Sequence, residues 1–214
     1  MNCADAALDV GFDEIIVHPE YNERSLNKIN DIALIKLKKY VTFTHFIMPI
    51  CLPSKEETDS PLVPGQFFSV SGWGRTDLCE WLSNYLKFTK LELFPNLLSD
   101  HFNNKVNKFF LNIRSPIKLK LRVPLVSREN CSEVLTPYGA HLGPKQICAG
   151  GELAKDTCAG DSGGPLMHFD SKLSRWVTYG IVSYGFTQCG LAGHPAVYTN
   201  VVDYIDWITE TIAK

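Results

Sequence analysis

Short runs rich in Val, Ile, Phe and Tyr recur along the chain, separated by Gly, Pro, Asn and Asp residues that are typical of turns. Six of these runs predict strands, at 14–17, 32–37, 67–72, 117–124, 176–184 and 196–199. Only the C-terminal segment 202–214 has apolar residues at helical spacing. The pattern therefore predicts an all-β, mostly antiparallel protein with a single short helix at its C-terminus.

Composition and charge narrow the class of protein. The 214 residues are 45% hydrophobic and 21% charged, which is enough to bury a core. The net charge of -2 and the lack of basic runs with interleaved aromatics argue against a nucleic-acid partner. No apolar stretch is long enough to span a membrane, and the first eight residues lack the features of an export signal. The sequence gives no indication of a metal or organic cofactor.

Seven cysteines are many for a cytosolic protein, and none forms a Cys-x-x-Cys pair. They are Cys3, Cys51, Cys79, Cys131, Cys148, Cys158 and Cys189. This arrangement favours disulfide bonds over zinc binding. Because the number is odd, at least one thiol has no partner within the chain, and we expect that a segment is missing.

Residues 79–113 differ in composition from the rest of the chain. From 81 to 113, Phe, Ile, Asn, Lys, Tyr and Leu supply 24 of 33 residues, and no Gly interrupts them. Codons for these six residue types are mostly A/T-rich, so one hypothesis is a translated intron. The alternative is a genuine surface insertion that folds as a short amphipathic helix. Transcript reads that cross 79–113 without a gap would remove the intron hypothesis.

The segment Gly-Asp-Ser-Gly-Gly-Pro-Leu at 160–166 carries the chemistry. A serine hydroxyl becomes a useful nucleophile when a base takes its proton and nearby donors stabilise the resulting oxyanion. Small residues let the backbone turn sharply here, so the amides of Gly160 and Ser162 can point at one substrate oxygen. A Gly-rich turn with an exposed serine is commonly just a turn, but the seven-residue motif is far more specific.

This motif and three others, in the same order along the chain, resemble the chymotrypsin-fold, trypsin-like serine proteases. The others are Asn-Asp-Ile-Ala-Leu at 30–34, Ser-Gly-Trp-Gly at 71–74 and Pro-Ala-Val-Tyr-Thr at 195–199. The segments 16–21 and 122–127 are similar to the clip-domain proteases of arthropod immune and melanisation cascades. The resemblance covers 1–78 and 114–214 and implies a secreted zymogen with a double β-barrel, of which residues 1–214 are a partial peptidase domain.

The resemblance assigns roles to two carboxylates. Asp31 would orient and support the catalytic imidazole, although an Asp after an Asn is commonly a turn or cap residue. Asp156, six residues before Ser162, falls where trypsin-like members carry the carboxylate at the floor of the specificity pocket. A buried carboxylate there selects Arg or Lys before the scissile bond. The implied partners are protein substrates with Arg or Lys at that position, and serpin-type inhibitors.

Three further residues match the substrate-binding walls of the family. Ser183 and Gly185 lie in the segment that pairs with the substrate backbone, and Gly185 would leave the pocket open. Ala196 departs from the family, in which most trypsin-like members have glycine at this position. One methyl group in a pocket is worth about 1–3 kcal/mol, so Ala196 would narrow the slot.

The resemblance also implies the pairing of the cysteines. Cys158–Cys189 would brace the specificity pocket, and Cys131–Cys148 would close a surface loop. Cys51 resembles the cysteine that tethers a separate pro-region or clip domain. Cys3 resembles one half of a bridge to an upstream residue, and Cys79 belongs to the unusual segment 79–113.

The family's general-base histidine, in an Ala-Ala-His-Cys segment well before the aspartate, has no counterpart. Only 30 residues precede Asp31, and the one histidine among them, His18, matches a strand end. The other histidines lack the Ala-His-Cys context; they are His45, His101, His141, His168 and His194. The activated Ile or Val N-terminus that would pair with Asp161 is missing too. We therefore expect the chain as written to be inactive, with its first barrel incomplete.

Three readings remain at this point. The first is an incomplete sequence of an active trypsin-like protease. The second is a non-catalytic protease homologue that acts as a binding or cofactor module; such homologues usually lose the serine, whereas Ser162, Asp31 and Asp156 are retained here. The third is a disulfide-bonded β protein with no activity. An upstream exon that encodes Ala-Ala-His-Cys would favour the first reading, and its absence from the genome and the transcript would favour the second.

Overall fold

A computed structural model describes residues 8–54, 62–76 and 114–213, and these form two sheets. The first sheet is the antiparallel pair β1 (Phe12–Val17) and β2 (Ala33–Leu37). The second contains six strands, which are β3 (Phe67–Gly72), β4 (Leu119–Val126), β5 (Gln146–Gly150), β6 (Pro165–Asp170), β7 (Arg175–Tyr184) and β8 (Pro195–Asn200). The prediction of a mostly antiparallel all-β fold is confirmed.

The six strands of the second sheet close into a barrel in the order β3-β4-β5-β8-β7-β6. The closing contact joins β3 to β6, where Ser69 pairs with Met167 and Val70 with Leu166. Alternate side chains of these strands point inward and bury one apolar core. Its buried members are Phe68, Val70, Val123, Leu125, Ala149, Leu166, Val182, Ala196 and Tyr198.

Two of the barrel strands, β5 and β6, were not predicted from the sequence. Strand β6 begins at Pro165, contains the polar residues His168 and Asp170 and has no β-branched residue, so its sequence gives little sign of a strand. Strand β5 contains Cys148, Ala149 and Gly150, which have low strand propensity by themselves. Pairing with neighbours on both sides overrides these preferences.

The prediction of a single helix is wrong, because the described residues contain two α-helices. Helix α1 (Arg128–Leu135) begins after Ser127, whose side chain accepts a hydrogen bond from the Asn130 amide. It is short, and only Cys131 and Leu135 are buried, so its periodicity is weak. Helix α2 (Ile205–Ile212) is the predicted C-terminal one and follows a 3₁₀ turn at Val201–Tyr204. Neither described helix has the length and apolar character to cross a bilayer.

The two-stranded sheet is poorly covered. Five of its apolar side chains are 45% to 60% exposed, namely Phe12, Ile15, Val17, Ile35 and Leu37. Within residues 8–54, the buried apolar residues are Ile32 and Pro53, and Ile32 packs against Val201, Tyr204 and Ile208. This part of the chain is therefore held in place by helix α2 and by the six-stranded barrel, which we call the second barrel. Its own sheet buries little surface.

His18 lies in this junction and not in a cleft, as its strand-end context predicted. Its ring packs 5.5 Å from the ring of Tyr204 and 4.9 Å from that of Trp207, and the residue is buried. Its Nδ1 accepts a hydrogen bond from the Glu20 amide at 3.3 Å. Burial lowers the pKa of His18, with Lys145 adding to the shift and Glu20 opposing it.

This pKa predicts a pH dependence of stability. Because the folded chain takes up the proton at lower pH than the unfolded chain, the stabilisation is complete above about pH 6.5 and is lost as the pH falls below it. We expect His18→Phe to show a smaller loss of unfolding free energy between about pH 7 and pH 5 than the unmodified chain, measured by urea denaturation. Substitution of the exposed His45 by Gln serves as the control and should leave the loss unchanged. Equal losses in His18→Phe and the unmodified chain would contradict the assignment.

Candidate active site

The loop that joins the Cys158 region to β6 holds Ser162 at the surface. Gly160 and Gly163 have φ angles of 103° and 79°, which side chains rarely allow. The amides of Asp161, Gly163 and Gly164 are used within the fold, donating to Cys158, Val182 and Asp161 oxygens, each at 2.9 Å. Those of Gly160 and Ser162 donate to no other described residue. The loop thus presents an exposed hydroxyl beside two amides that remain able to bind an oxygen.

The carboxylate of Asp161 fixes this loop to the start of the barrel. Its Oδ1 accepts from the Gly74 amide at 2.7 Å, and its Oδ2 accepts from the Cys158 amide at 2.9 Å. A Cβ on Gly72 would lie 2.0 Å from Oδ1, and one on Gly74 would lie 2.3 Å from Oδ2. Glycines are therefore required at both positions, which gives the Ser-Gly-Trp-Gly segment a physical reason.

Asp31 is held by hydrogen bonds from the second barrel. Ser183 on β7 donates its hydroxyl to Asp31 Oδ2 at 2.6 Å, and Thr199 on β8 donates to the Asp31 carbonyl at 2.8 Å. The preceding Asn30 has a φ of 59° and accepts a hydrogen bond at Oδ1 from the hydroxyl of Tyr204 at 2.8 Å. Asp31 is therefore held against the end of β7, just before Gly185, and it does not merely cap a turn.

A buried glutamine ties the loop before Asp31 to the barrel. Gln146 is 3% exposed, and its amide nitrogen donates to the carbonyl of Asn27 at 2.7 Å and to that of Lys28 at 3.3 Å. Its amide oxygen accepts from the Gly143 amide at 2.8 Å. Gln146 also pairs with Thr199 in the sheet. This one cross-strand pair therefore holds the Asp31 loop at two points, through Gln146 at Asn27 and through Thr199 at Asp31.

A cavity of about 370 Å³ adjoins the Ser162 loop. Its lining residues include Asp156, Asp161, Cys189 and Gly190. The Asp156 carboxylate accepts a hydrogen bond from the Gly190 amide at 3.1 Å. The Cys158–Cys189 bridge that the resemblance implied is present on its wall, as is Cys131–Cys148 elsewhere in the barrel. The cavity also extends along Gly72, Gly74 and Leu119, so it is broader than a slot for one side chain.

Gly185 and Ala196 face each other near this cavity. A Cβ built on Gly185 would lie 3.5 Å from the Ala196 methyl, so the space between the two strands is already partly filled. Beneath it, the hydroxyl of the fully buried Tyr198 contacts Thr157 Oγ1 at 3.3 Å. Burial raises the pKa of Tyr198, and the nearby carboxylates of Asp156 and Asp161 add to the rise. Tyr198 is therefore a neutral hydrogen-bonding group next to Thr157 in the wall of the cavity.

The rings of the described histidines contact groups other than Ser162 and Asp31, although the His18 amide donates to the carbonyl of Ile32, next to Asp31, at 3.1 Å. His194 packs against Phe186 at 4.7 Å between ring centroids, and His168 contacts the Phe67 carbonyl at 3.2 Å. His141 meets the Asp31 loop only through its backbone amide, which donates to Asn27. In the described part of the chain no imidazole hydrogen-bonds to Ser162 or Asp31, and no group of side chains could hold a metal ion. His101, Cys3 and Cys79 lie outside the described residues.

The sequence prediction did not find the residues that hold Asp31 in place. Thr199 and Tyr204 were read only as parts of a strand and a helix, and Gln146 was not singled out. Ser183 was predicted to meet substrate backbone, whereas here its hydroxyl also binds Asp31. The separations of 118 to 174 residues leave no local pattern that could reveal these contacts. The described thiol of Cys51 is free and half-buried beside β7, where its amide donates to the Trp176 carbonyl.

A glycine-rich loop with an exposed serine beside a closed six-stranded β-barrel, together with an aspartate held by strand β7, is the arrangement of the chymotrypsin fold class. The trypsin family model matches residues 4–120 and 107–208, and the chain belongs to this family. It is 45% identical over 207 residues to the CLIP domain-containing serine protease B8 of Anopheles gambiae, covering 97% of this chain and 44% of that protein.

Two other relatives have related names. The chain is 35% identical over 213 residues to the CLIP domain-containing serine protease HP8 of Bombyx mori, covering 100% of this chain and 49% of that protein. It is 37% identical over 208 residues to phenoloxidase-activating factor 1 of Holotrichia diomphalia, covering 97% and 47%. The resemblance to arthropod clip-domain proteases is thereby confirmed. The chain spans less than half the length of these relatives.

The hydrogen bond from Tyr204 predicts the cost of loosening the Asp31 loop. Tyr204 is 1% exposed, and its burial raises the pKa of its hydroxyl to about 12. We expect Tyr204→Phe to lower the free energy of unfolding by about 1–3 kcal/mol, because the buried oxygen of Asn30 loses its donor. Tyr40→Phe, at a fully exposed tyrosine, should leave the free energy of unfolding unchanged. Urea denaturation measures both, and equal small effects would contradict the role given to Tyr204.

Proposed function

We propose that the product to which this chain belongs is a serine endopeptidase that cleaves proteins after Arg or Lys. The observation that carries the proposal is the nucleophile loop, in which Ser162 is exposed while the Gly160 and Ser162 amides are the two left without a described acceptor. In acyl transfer, Ser162 Oγ attacks the scissile carbonyl, and these two amides stabilise the oxyanion that forms. The leaving amine departs with a proton, and water then releases the acyl group.

Asp31 takes the role of the residue that orients a general base. Its carboxylate is fixed by Ser183 at 2.6 Å, and its backbone is fixed by Thr199, so it provides a rigid acceptor for an imidazole N–H. We propose that this imidazole comes from sequence that is not among the 214 residues. The chain by itself then lacks the group that takes the proton from Ser162 and is inactive.

Asp161 is the proposed partner of an activated N-terminus. Its carboxylate binds two backbone amides and adjoins the cavity of about 370 Å³ that runs past Gly74 and Leu119. In the trypsin family, a new N-terminal ammonium pairs with the aspartate at this position and orders the oxyanion hole. A cavity on this side of Asp161 supports the same activation for the longer product, as a zymogen.

Preference for Arg or Lys rests on Asp156. Its carboxylate lines the cavity and is held by Gly190, so a guanidinium or ammonium group would find a preformed counter-charge. Ala196 narrows the approach, because its methyl faces Gly185. The slender stems of Arg and Lys tolerate that narrowing better than a branched or aromatic side chain does.

The names of the relatives and the two disulfides support the cellular setting that we propose. Names such as phenoloxidase-activating factor support a place in an extracellular cascade, with protein substrates and serpin-type inhibitors as partners. The two disulfides support secretion, because such bonds persist in oxidising compartments.

Segment 79–113 is proposed to be a translated intron or a surface insertion within the peptidase domain. A non-catalytic homologue is the alternative, and retention of Ser162, Asp31 and Asp156 weighs against it.

The test compares this chain with a product extended upstream to include an Ala-His-Cys segment. We expect the extended, activated product to cleave an Arg p-nitroanilide substrate and to leave the Phe analogue intact, and the 214-residue chain to cleave neither. Ser162→Ala should reduce kcat/KM by about a thousandfold or more. The matched control is Ser171→Ala, at an exposed serine in the β6–β7 turn, which should leave kcat/KM unchanged.

Two outcomes would contradict the proposal. Cleavage by the 214-residue chain that is lost on Ser162→Ala would show that the missing imidazole is not needed. A folded, extended product that cleaves neither substrate would favour the non-catalytic homologue. A preference for Phe over Arg would contradict only the role of Asp156.

A further inference from the structure

Three cations lie at alternate positions along one side of β4 and the residue that precedes it. Lys118, Lys120 and Arg122 are all exposed, and each lies over an aromatic ring. Lys118 Nζ is 5.4 Å from the ring centroid of Trp73, Lys120 Nζ is 4.6 Å from that of Trp176, and Arg122 Cζ is 5.0 Å from that of Phe67. We call this set of three cations and three rings the basic strip.

Small residues on β3 make the strip possible. Ser71 pairs with Lys120 and Ser69 pairs with Arg122, so only short side chains separate β4 from the strands beyond β3. Lys120 can therefore extend across β3 and β6 to the Trp176 ring on β7. An open groove of about 380 Å³ results, lined by Ser71, Lys118, Leu119, Lys120, Met167 and Trp176.

The charge of the strip is not neutralised within the described residues. No carboxylate there forms an ion pair with Lys118, Lys120 or Arg122. Asp170, at the end of β6, accepts from the amides of Lys172 and Leu173 in the β6–β7 turn. The aromatic rings hold the cationic side chains in place, which lowers the entropy that a partner would have to remove.

We propose that the basic strip is a docking surface for an extended acidic peptide segment of a partner protein. Alternate residues of β4 are about 7 Å apart, and so are alternate side chains of an extended peptide. Carboxylates at every second position of such a peptide can therefore meet all three cations at once. The partly exposed rings of Trp73, Trp176 and Phe67 offer apolar contacts between the charges.

The proposal does not depend on the catalytic assignment. Lys120 also lines the cavity of about 370 Å³, but none of the six residues of the basic strip belongs to the Ser162 loop or the Asp31 network, and none supplies the carboxylates of the cavity. A failure of peptide binding would leave the protease proposal intact, and an inactive serine would leave the basic strip intact.

Fluorescence anisotropy of the 214-residue chain with a labelled octapeptide tests the proposal. The probe alternates Glu and Val, and a second probe of equal composition groups its four Glu residues together. We expect the alternating probe to bind more tightly, and its affinity to fall as salt rises from about 20 to about 200 mM. Replacing Lys118, Lys120 and Arg122 together by Gln should weaken binding about tenfold, and Lys120→Gln alone about two- to threefold.

The control variant removes the same number of positive charges from β2 and the two residues that follow it. Replacing Lys36, Lys38 and Lys39 together by Gln removes three exposed cations elsewhere and should change affinity less than about twofold. Thermal unfolding of each variant verifies that it is folded. The proposal is overturned if both triple variants weaken binding equally, if the two probes bind alike, or if a heparin oligosaccharide of the same charge binds more tightly than the alternating peptide.

Discussion

The hydrogen bonds that close the second sheet between β3 and β6 are the constraint on which the site depends. They join the residues around Ser69 and Val70 to Met167 and Leu166, and thereby bring the end of β3 to the start of β6. Gly74 lies just beyond β3, and Asp161 lies just before β6. Because these ends meet, the Gly74 amide can bind the Asp161 carboxylate at 2.7 Å, and the turn that exposes Ser162 is fixed at both sides.

The position of Asp31 depends on the same barrel and not on its own sheet. Strands β1 and β2 bury little, and their apolar side chains face solvent. Hydrogen bonds from Ser183, Thr199 and Tyr204 hold the Asp31 segment on β7, β8 and the start of helix α2. The second barrel therefore holds both Ser162, the proposed nucleophile, and Asp31, the residue proposed to orient its base, even though the two come from distant parts of the chain.

Motifs of fixed local shape were predictable from the sequence. The Gly-rich loop around Ser162 requires positive φ angles that only certain residues allow. Runs of Val, Ile, Phe and Tyr predicted six strands, and apolar residues at helical spacing predicted the C-terminal helix. Contacts set by tertiary pairing were not predictable. Strand β6 and helix α1 are stabilised by neighbours and a cap, and the bonds of Gln146 and Tyr204 to the Asp31 loop join residues more than a hundred positions apart. The roles of Asp156 and Ala196 came from resemblance, since an isolated carboxylate or methyl group has no local signature.

Labelling with a fluorophosphonate tests most directly the central claim that Ser162 is a nucleophile served by this barrel. The reagent forms a phosphorus–oxygen bond with an activated serine and releases fluoride, and mass spectrometry of the digest locates it. The account predicts that the extended, activated product is labelled at Ser162, that benzamidine slows the labelling by occupying the Asp156 cavity, and that the 214-residue chain is not labelled. Labelling at another residue, or none in the folded and activated product, would contradict it.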